Sequence, residues 1–220
     1  MLAALSAGAI RHYEHEVDAL RPAPFDDVAP PEALLDEVRA AHATAGRAYH
    51  DLRHVGEVVA SLARARAEVG LARPAEALLA ALFHDAVYVP GAKDNEARSA
   101  ALARDVVSRL EPRARDLAWV EATIRATARH GGLREGDVDA DAAIVLDCDM
   151  AILAAPTARF AEYEAQIAAE YAFVPPEAYA AGRRAFLERV LASPVIYLSS
   201  WGRDAFERAA RDNLARALRA

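Results

Sequence analysis

His84 and Asp85 interrupt an otherwise apolar stretch, Leu78 to Val89, in which the Tyr88 hydroxyl is the other polar side-chain group. A buried carboxylate is costly unless something compensates it. A metal ion does so, because it accepts both imidazole and carboxylate ligands. A neutralising Arg, or a hydrogen bond between His84 and Asp85, would do so without metal. A second apolar stretch, Ala142 to Leu153, is broken by Asp147 and Asp149. Residues two apart on a helix point about 200° apart, so these two carboxylates do not share a face. Asp149 falls between Val145, Leu146, Ile152 and Leu153, the richer apolar stripe, and is expected to be the inward, more buried one. Asp147 is expected behind it or paired with an Arg, and is the alternative ligand. With His54, the set His54, His84, Asp85 and Asp149 offers two nitrogens and two oxygens. Such a set suits one divalent ion: Mn, Fe, Co, Ni or Zn, with Mg less well matched. On an octahedral ion it leaves positions for a water, acidified by the metal, and for a substrate oxygen. That is phosphoester-hydrolase chemistry, with Asp85 at once ligand and catalytic residue.

Other residues could assist. Glu96, in Asp94-Asn95-Glu96, could orient or deprotonate the attacking water, although Asp94 or Asn95 also reads as a helix N-cap. His130 could face the pocket, or simply end a helix before Gly131-Gly132, where a histidine suits the helix dipole. His50 is expected to touch substrate or a metal ligand, or simply to lie at the surface. Arg47, Arg53, Lys93 and Arg183 are candidate phosphate binders, each with a solvated surface charge as its simpler reading. Cys148 reads as a small buried filler. Trp119 and Trp201 read as packing residues, and His12, His15 and His42 as surface positions.

The elements that must position these groups are helical. Prolines and glycines at Pro22–Pro31, Gly70–Pro74, Pro90-Gly91, Pro112, Gly131–Gly136, Pro156, Pro175-Pro176 and Pro194 divide the chain into helix-length pieces. These pieces are rich in Ala, Leu, Arg and Glu, all good helix formers. No alternating β-branched run suggests a strand. Asp51 is placed to cap the helix carrying Val55, Val58, Val59 and Leu62, and Pro74 and Pro112 suit first helical turns. Phe206, Ala210, Leu214 and Leu218 form a stripe at fourfold spacing. The reading is an all-α, bundle-like domain of about ten helices. It is taken as one domain over 1–220, with the metal-site core over about 45–155 and helices 157–219 packing on it.

The net charge of −7 gives no footprint for a nucleic-acid polymer or an anionic membrane. No uncharged apolar run approaches the roughly 20 residues of a membrane span. The single cysteine permits no internal disulfide. The N-terminal stretch lacks a basic segment before its apolar one, so it does not read as a signal peptide. The expected location is the cytoplasm. The sequence does not fix the oligomeric state.

The order His54, His84-Asp85, Asp149 resembles the H…HD…D signature of the HD superfamily of metal-dependent phosphohydrolases. The stretches Arg47–His54, Phe83–Tyr88, Asp94–Ala100, Thr127–His130, Asp147–Leu153 and Tyr179–Arg183 resemble an uncharacterised bacterial branch of predicted HD phosphohydrolases. The resemblance implies an all-helical fold and metal ligation by His54, His84, Asp85 and Asp149, with Asp147 the other possibility for the last ligand. Branches with two metals carry more histidines than this chain has between Asp85 and Asp149, where His130 stands alone. The expected activity is hydrolysis of a small phosphoester, such as a nucleotide, by metal-activated water. The rival from another class is a non-enzymatic HD module that binds a nucleotide or a partner. A helical structural protein with an internal His-Asp pair is a further rival, and an iron oxygenase a weaker one.

Overall fold

The computed structural model describes residues 19–110 and 116–219. His12, His15, the N-terminal stretch and Pro112 lie outside the described residues. Among those described, nine α-helices and two short 3-10 segments make an all-α protein with no strand. The helices are α1 (Glu32–His42), α2 (Leu52–Val69), α3 (Pro74–Phe83), α4 (Asn95–Leu110), α5 (Leu117–Thr127), α6 (Ala140–Asp149), α7 (Thr157–Glu170), α8 (Pro176–Ala192) and α9 (Ser200–Ala217). The 3-10 segments are Ala23–Val28 and Met150–Ala154. No helix among the described residues is long and apolar enough to cross a membrane.

The helix starts follow from local chemistry. Asp51 caps α2, its carboxylate accepting from the amides of Arg53 at 3.0 Å and His54 at 3.2 Å. Pro74 occupies the first turn of α3, where a missing N–H costs nothing. Asp139 caps α6 through the Ala142 amide at 2.9 Å. α2 ends at Gly70, whose φ of 76° is easy for glycine.

α3 is apolar on every side, and every residue from Ala75 to Phe83 except Glu76 is buried. A helix of that kind belongs at the centre of a fold. α2, α4, α5 and α6 all pack against it. The large core built this way includes Val55, Leu62, Leu78, Phe83, Val107, Ile124 and Cys148. A second core joins Tyr49 and Leu153 to residues of α7, α8 and α9, among them Tyr163, Leu187, Ala210 and Leu214. The expected Phe206 stripe runs into this second core. Phe206 packs against both cores.

The α-helix expected through Leu153 stops at Asp149 and tightens into the 3-10 segment. Two other expectations need correction. His42 is 2% exposed, not a surface residue, because the last turn of α1 is packed inward. Asp147, not Asp149, is the more buried of its pair: Asp147 is 2% exposed, whereas Asp149 sits at a partial opening.

Candidate metal centre

α3 ends at Phe83, His84 occupies its C-cap position, and Asp85 opens the following turn. His54 enters from the first turn of α2, just inside the Asp51 cap. Asp149 is the last residue of α6. One donor atom from each of His54, His84, Asp85 and Asp149 lies within 4.8 Å of the others, so these residues could hold a metal ion. His54 Nε2 is 3.0 Å from His84 Nε2 and 3.2 Å from Asp149 Oδ1. His84 Nε2 is 3.2 Å from Asp85 Oδ2 and 3.4 Å from Asp149 Oδ1. Both imidazoles are buried, and the two carboxylates are partly open.

The tautomer of His84 follows from its second nitrogen. Nδ1 lies 2.8 Å from the Ala81 carbonyl, which can only accept, so Nδ1 carries the proton. The neutral ring then presents a lone pair at Nε2, the state a metal needs. Burial opposes charge on all four groups. The carboxylates nevertheless outweigh it and raise both imidazoles above their ordinary range. The imidazoles in turn outweigh burial at Asp85 and Asp149, holding both well below the usual carboxylate range. Two carboxylates here require positive charge nearby. Imidazole protons or a divalent cation provide it, and the two compete.

The surroundings hold this cluster in place. His130, at the end of the turn after α5, has Nε2 2.6 Å from Asp149 Oδ2, the carboxylate oxygen turned away from His54. His50 Nε2 is 4.0 Å from Asp85 Oδ2. Its Nδ1 meets Glu170 Oε2 at 2.7 Å, and its ring stacks on Tyr88 at 3.9 Å. Glu170 Oε1 accepts from three successive amides, Ala48 at 2.8 Å, Tyr49 at 2.7 Å and His50 at 3.0 Å. Glu170 Oε2 also accepts from the Tyr88 hydroxyl at 3.0 Å. These donors outweigh burial and hold Glu170 down at about 2. Nothing in the sequence around Glu170 advertises this role.

The candidate phosphate binders are spread out. Arg47 donates to the carbonyls of His50 at 2.6 Å, Asp85 at 2.8 Å and Ala86 at 2.9 Å. It therefore staples the His50 loop to the Asp85 turn through its backbone contacts. Arg53 is paired with Glu162 at 2.6 Å, and Arg183 with Glu164 at 3.2 Å. Lys93 is exposed, and Glu96 lies outside the cluster. Its neighbour Asn95 is the inward residue, exchanging two 3.0 Å hydrogen bonds with the backbone of Val89. Ser99, one turn on, pairs with the Val87 backbone at 3.0 and 3.2 Å, so α4 pins the loop after the His-Asp pair.

Asp147 has neither an Arg partner nor a place among the four donors. It accepts from the amides of Leu198 at 2.7 Å and Ser199 at 2.8 Å, and from the Ser199 hydroxyl at 2.6 Å. Ser199 caps α9 in turn, so Asp147 ties α6 to that helix start. Cys148 is buried, and burial pushes its thiol well up, as a filler requires.

A cleft of ≈ 500 Å³ opens beside His50 and Tyr88. Another of ≈ 290 Å³ is lined by His54 and Asp149. A larger one of ≈ 650 Å³ lies between Gly70 and Trp201, and of these three only the ≈ 290 Å³ cleft is lined by cluster residues. No family model matches this chain, nor does any curated protein or solved structure.

Proposed function

We propose that this chain is an HD-type metal-dependent phosphohydrolase acting on a small phosphoester. The observation that carries the reading is the convergence of two imidazole nitrogens and two carboxylate oxygens, with His84 Nδ1 anchored on a carbonyl. The mixed nitrogen and oxygen set fits a divalent transition ion. Such an ion, when bound, supplies Lewis acidity: it acidifies water and offsets charge on a phosphoryl oxygen.

The protein's own groups do the rest. His54 and His84 would hold the ion through their imidazoles, and Asp85 and Asp149 would offset its charge. His130 fixes the rotation of Asp149 by engaging its other oxygen. His50 stands at the opening with Nδ1 held by Glu170, an arrangement that orients Nε2 to pass a proton to or from the reacting phosphate. His50 is better placed for that assistance than Glu96, and His130, whose Nε2 is engaged by Asp149, acts as a positioning residue.

The test is a phosphoester and nucleotide panel with Mn, Fe(II), Co, Ni, Zn and Mg, read beside metal content. Wild type hydrolyses at least one ester with one of these ions, and Asp85→Ala loses both metal and turnover. Full activity in Asp85→Ala contradicts the site. Metal-independent ligand binding without turnover under any ion supports the rival, a binding module.

A further inference from the structure

The cleft beside His50 is built unlike the rest of the surface. Its walls are Tyr88 from the loop after α3, Tyr171 from the loop after α7, and Tyr179, Gly182 and Arg183 from α8. The His50–Tyr88 stack is its inner wall, and the far edge of His50 faces Asp85 at 4.0 Å. None of the four cluster residues lines the cleft; His50 is the residue that stands between the cleft and Asp85. The ≈ 500 Å³ of the cleft is the size of a small-molecule site.

Three features say what would fill it. Aromatic rings dominate the lining, and they favour a flat partner through stacked or edge-on contact. The guanidinium that lines it is already engaged. Arg183 pairs with Glu164 and lies against the rings of Tyr163 at 4.9 Å and Phe186 at 4.8 Å. Glu164 thus already balances the charge of that cation, and an uncharged occupant suits the cleft. Finally, Gly182 sits in the middle of α8, where glycine weakens a helix. A Cβ there would meet nothing within 4 Å, so no close packing demands the glycine. Its effect is to keep the wall open. The first two turns of α8 bury no residue, and its buried side chains, Leu187 and Val190, come after the cleft.

We propose that this cleft binds the planar, uncharged aromatic part of the ligand, directing an attached phosphate toward Asp85 and the metal cluster. The phosphate half rests on the hydrolase reading, and the cleft itself does not. The full-length protein is titrated with 1-naphthol, a ring without phosphate. Wild type binds it. Tyr179→Ala and Gly182→Leu each weaken binding by roughly tenfold or more, by removing a ring contact or filling the space. Leu is the better helix former, so Gly182→Leu keeps its melting temperature and its affinity for Mn. Absence of naphthol binding to wild type, or equal binding to folded Gly182→Leu, overturns the proposal. Turnover of 1-naphthyl phosphate is scored separately. Naphthol bound in the cleft with no turnover under any ion sinks the hydrolase and keeps the cleft. Equal kcat/KM for naphthyl and glycerol phosphates, without naphthol binding, does the reverse.

Discussion

Glu170 accepts five hydrogen bonds across two oxygens, and four of the donors belong to the loop that carries His50. Glu170→Gln keeps the size but loses the charge and one acceptor. It should retain metal, destabilise the fold by about 1–3 kcal/mol and shift the pH profile of kcat, because His50 Nδ1 loses its partner. A folded value of about 2 lies below the ordinary 4.5, so the stabilisation is present above 4.5 and is lost as pH falls toward 2. Acid titration of the melting temperature should be shallower in the Gln variant across that window. His42 gives a prediction of related sign. Burial holds it neutral down to about 3, against an ordinary 6.5, with Nδ1 donating to the Val38 carbonyl at 2.9 Å. The unfolded chain takes up that proton first, so stability declines as pH falls from 6.5 toward 3, by at most about 1.4 kcal/mol per unit. His42→Leu should remove this part of the slope; an unchanged slope would contradict it. The sequence made His84, Asp85 and Asp149 of the cluster legible, since polar residues in apolar runs demand an explanation. It hid Glu170 and His42. Glu170 acts on a loop 120 positions away, and His42 is buried by tertiary packing.

Among the elements, α6 does two jobs with residues two apart. Asp149 ends the helix at the cluster, while Asp147 on the other side fastens the start of α9. Gly202 makes room for that clamp: a Cβ there would stand 2.3 Å from Asp147 Oδ2. Gly202→Ala should therefore destabilise by roughly 1–3 kcal/mol while leaving bound metal intact. Chemical denaturation with metal analysis of the same sample checks both halves. The two aspartates point to different sides of α6, as their spacing predicts. The order of burial was not legible, because the neighbours Val145, Leu146, Ile152 and Leu153 say nothing of the start of α9, which covers Asp147. The Asp51 cap and the first-turn position of Pro74 were readable because their chemistry is local. The Asn95–Ser99 ladder was partly readable: its sequence suggested a cap, whereas the buried Asn95 amide fixes the loop carrying Val87 and Val89.

At the scale of the molecule, the cluster lies where two apolar cores meet. Val55, Phe83 and Cys148 belong to one, and Tyr49 and Leu153 to the other. His54, the His84-Asp85 pair and Asp149 are brought together only by the folded chain, so any ion they hold would be linked to folding. The all-α architecture was legible from composition and punctuation alone. The aromatic cleft was not, because its walls come from three separate segments. The most direct test of the central claim is metal stoichiometry of purified protein loaded with Mn, Fe(II), Co, Ni or Zn, measured for wild type, Asp147→Ala and Asp149→Ala. Binding of about one ion per chain to wild type and Asp147→Ala, with loss in a folded Asp149→Ala, is the predicted result. Equal metal content in all three, or none in wild type under every ion, would contradict it.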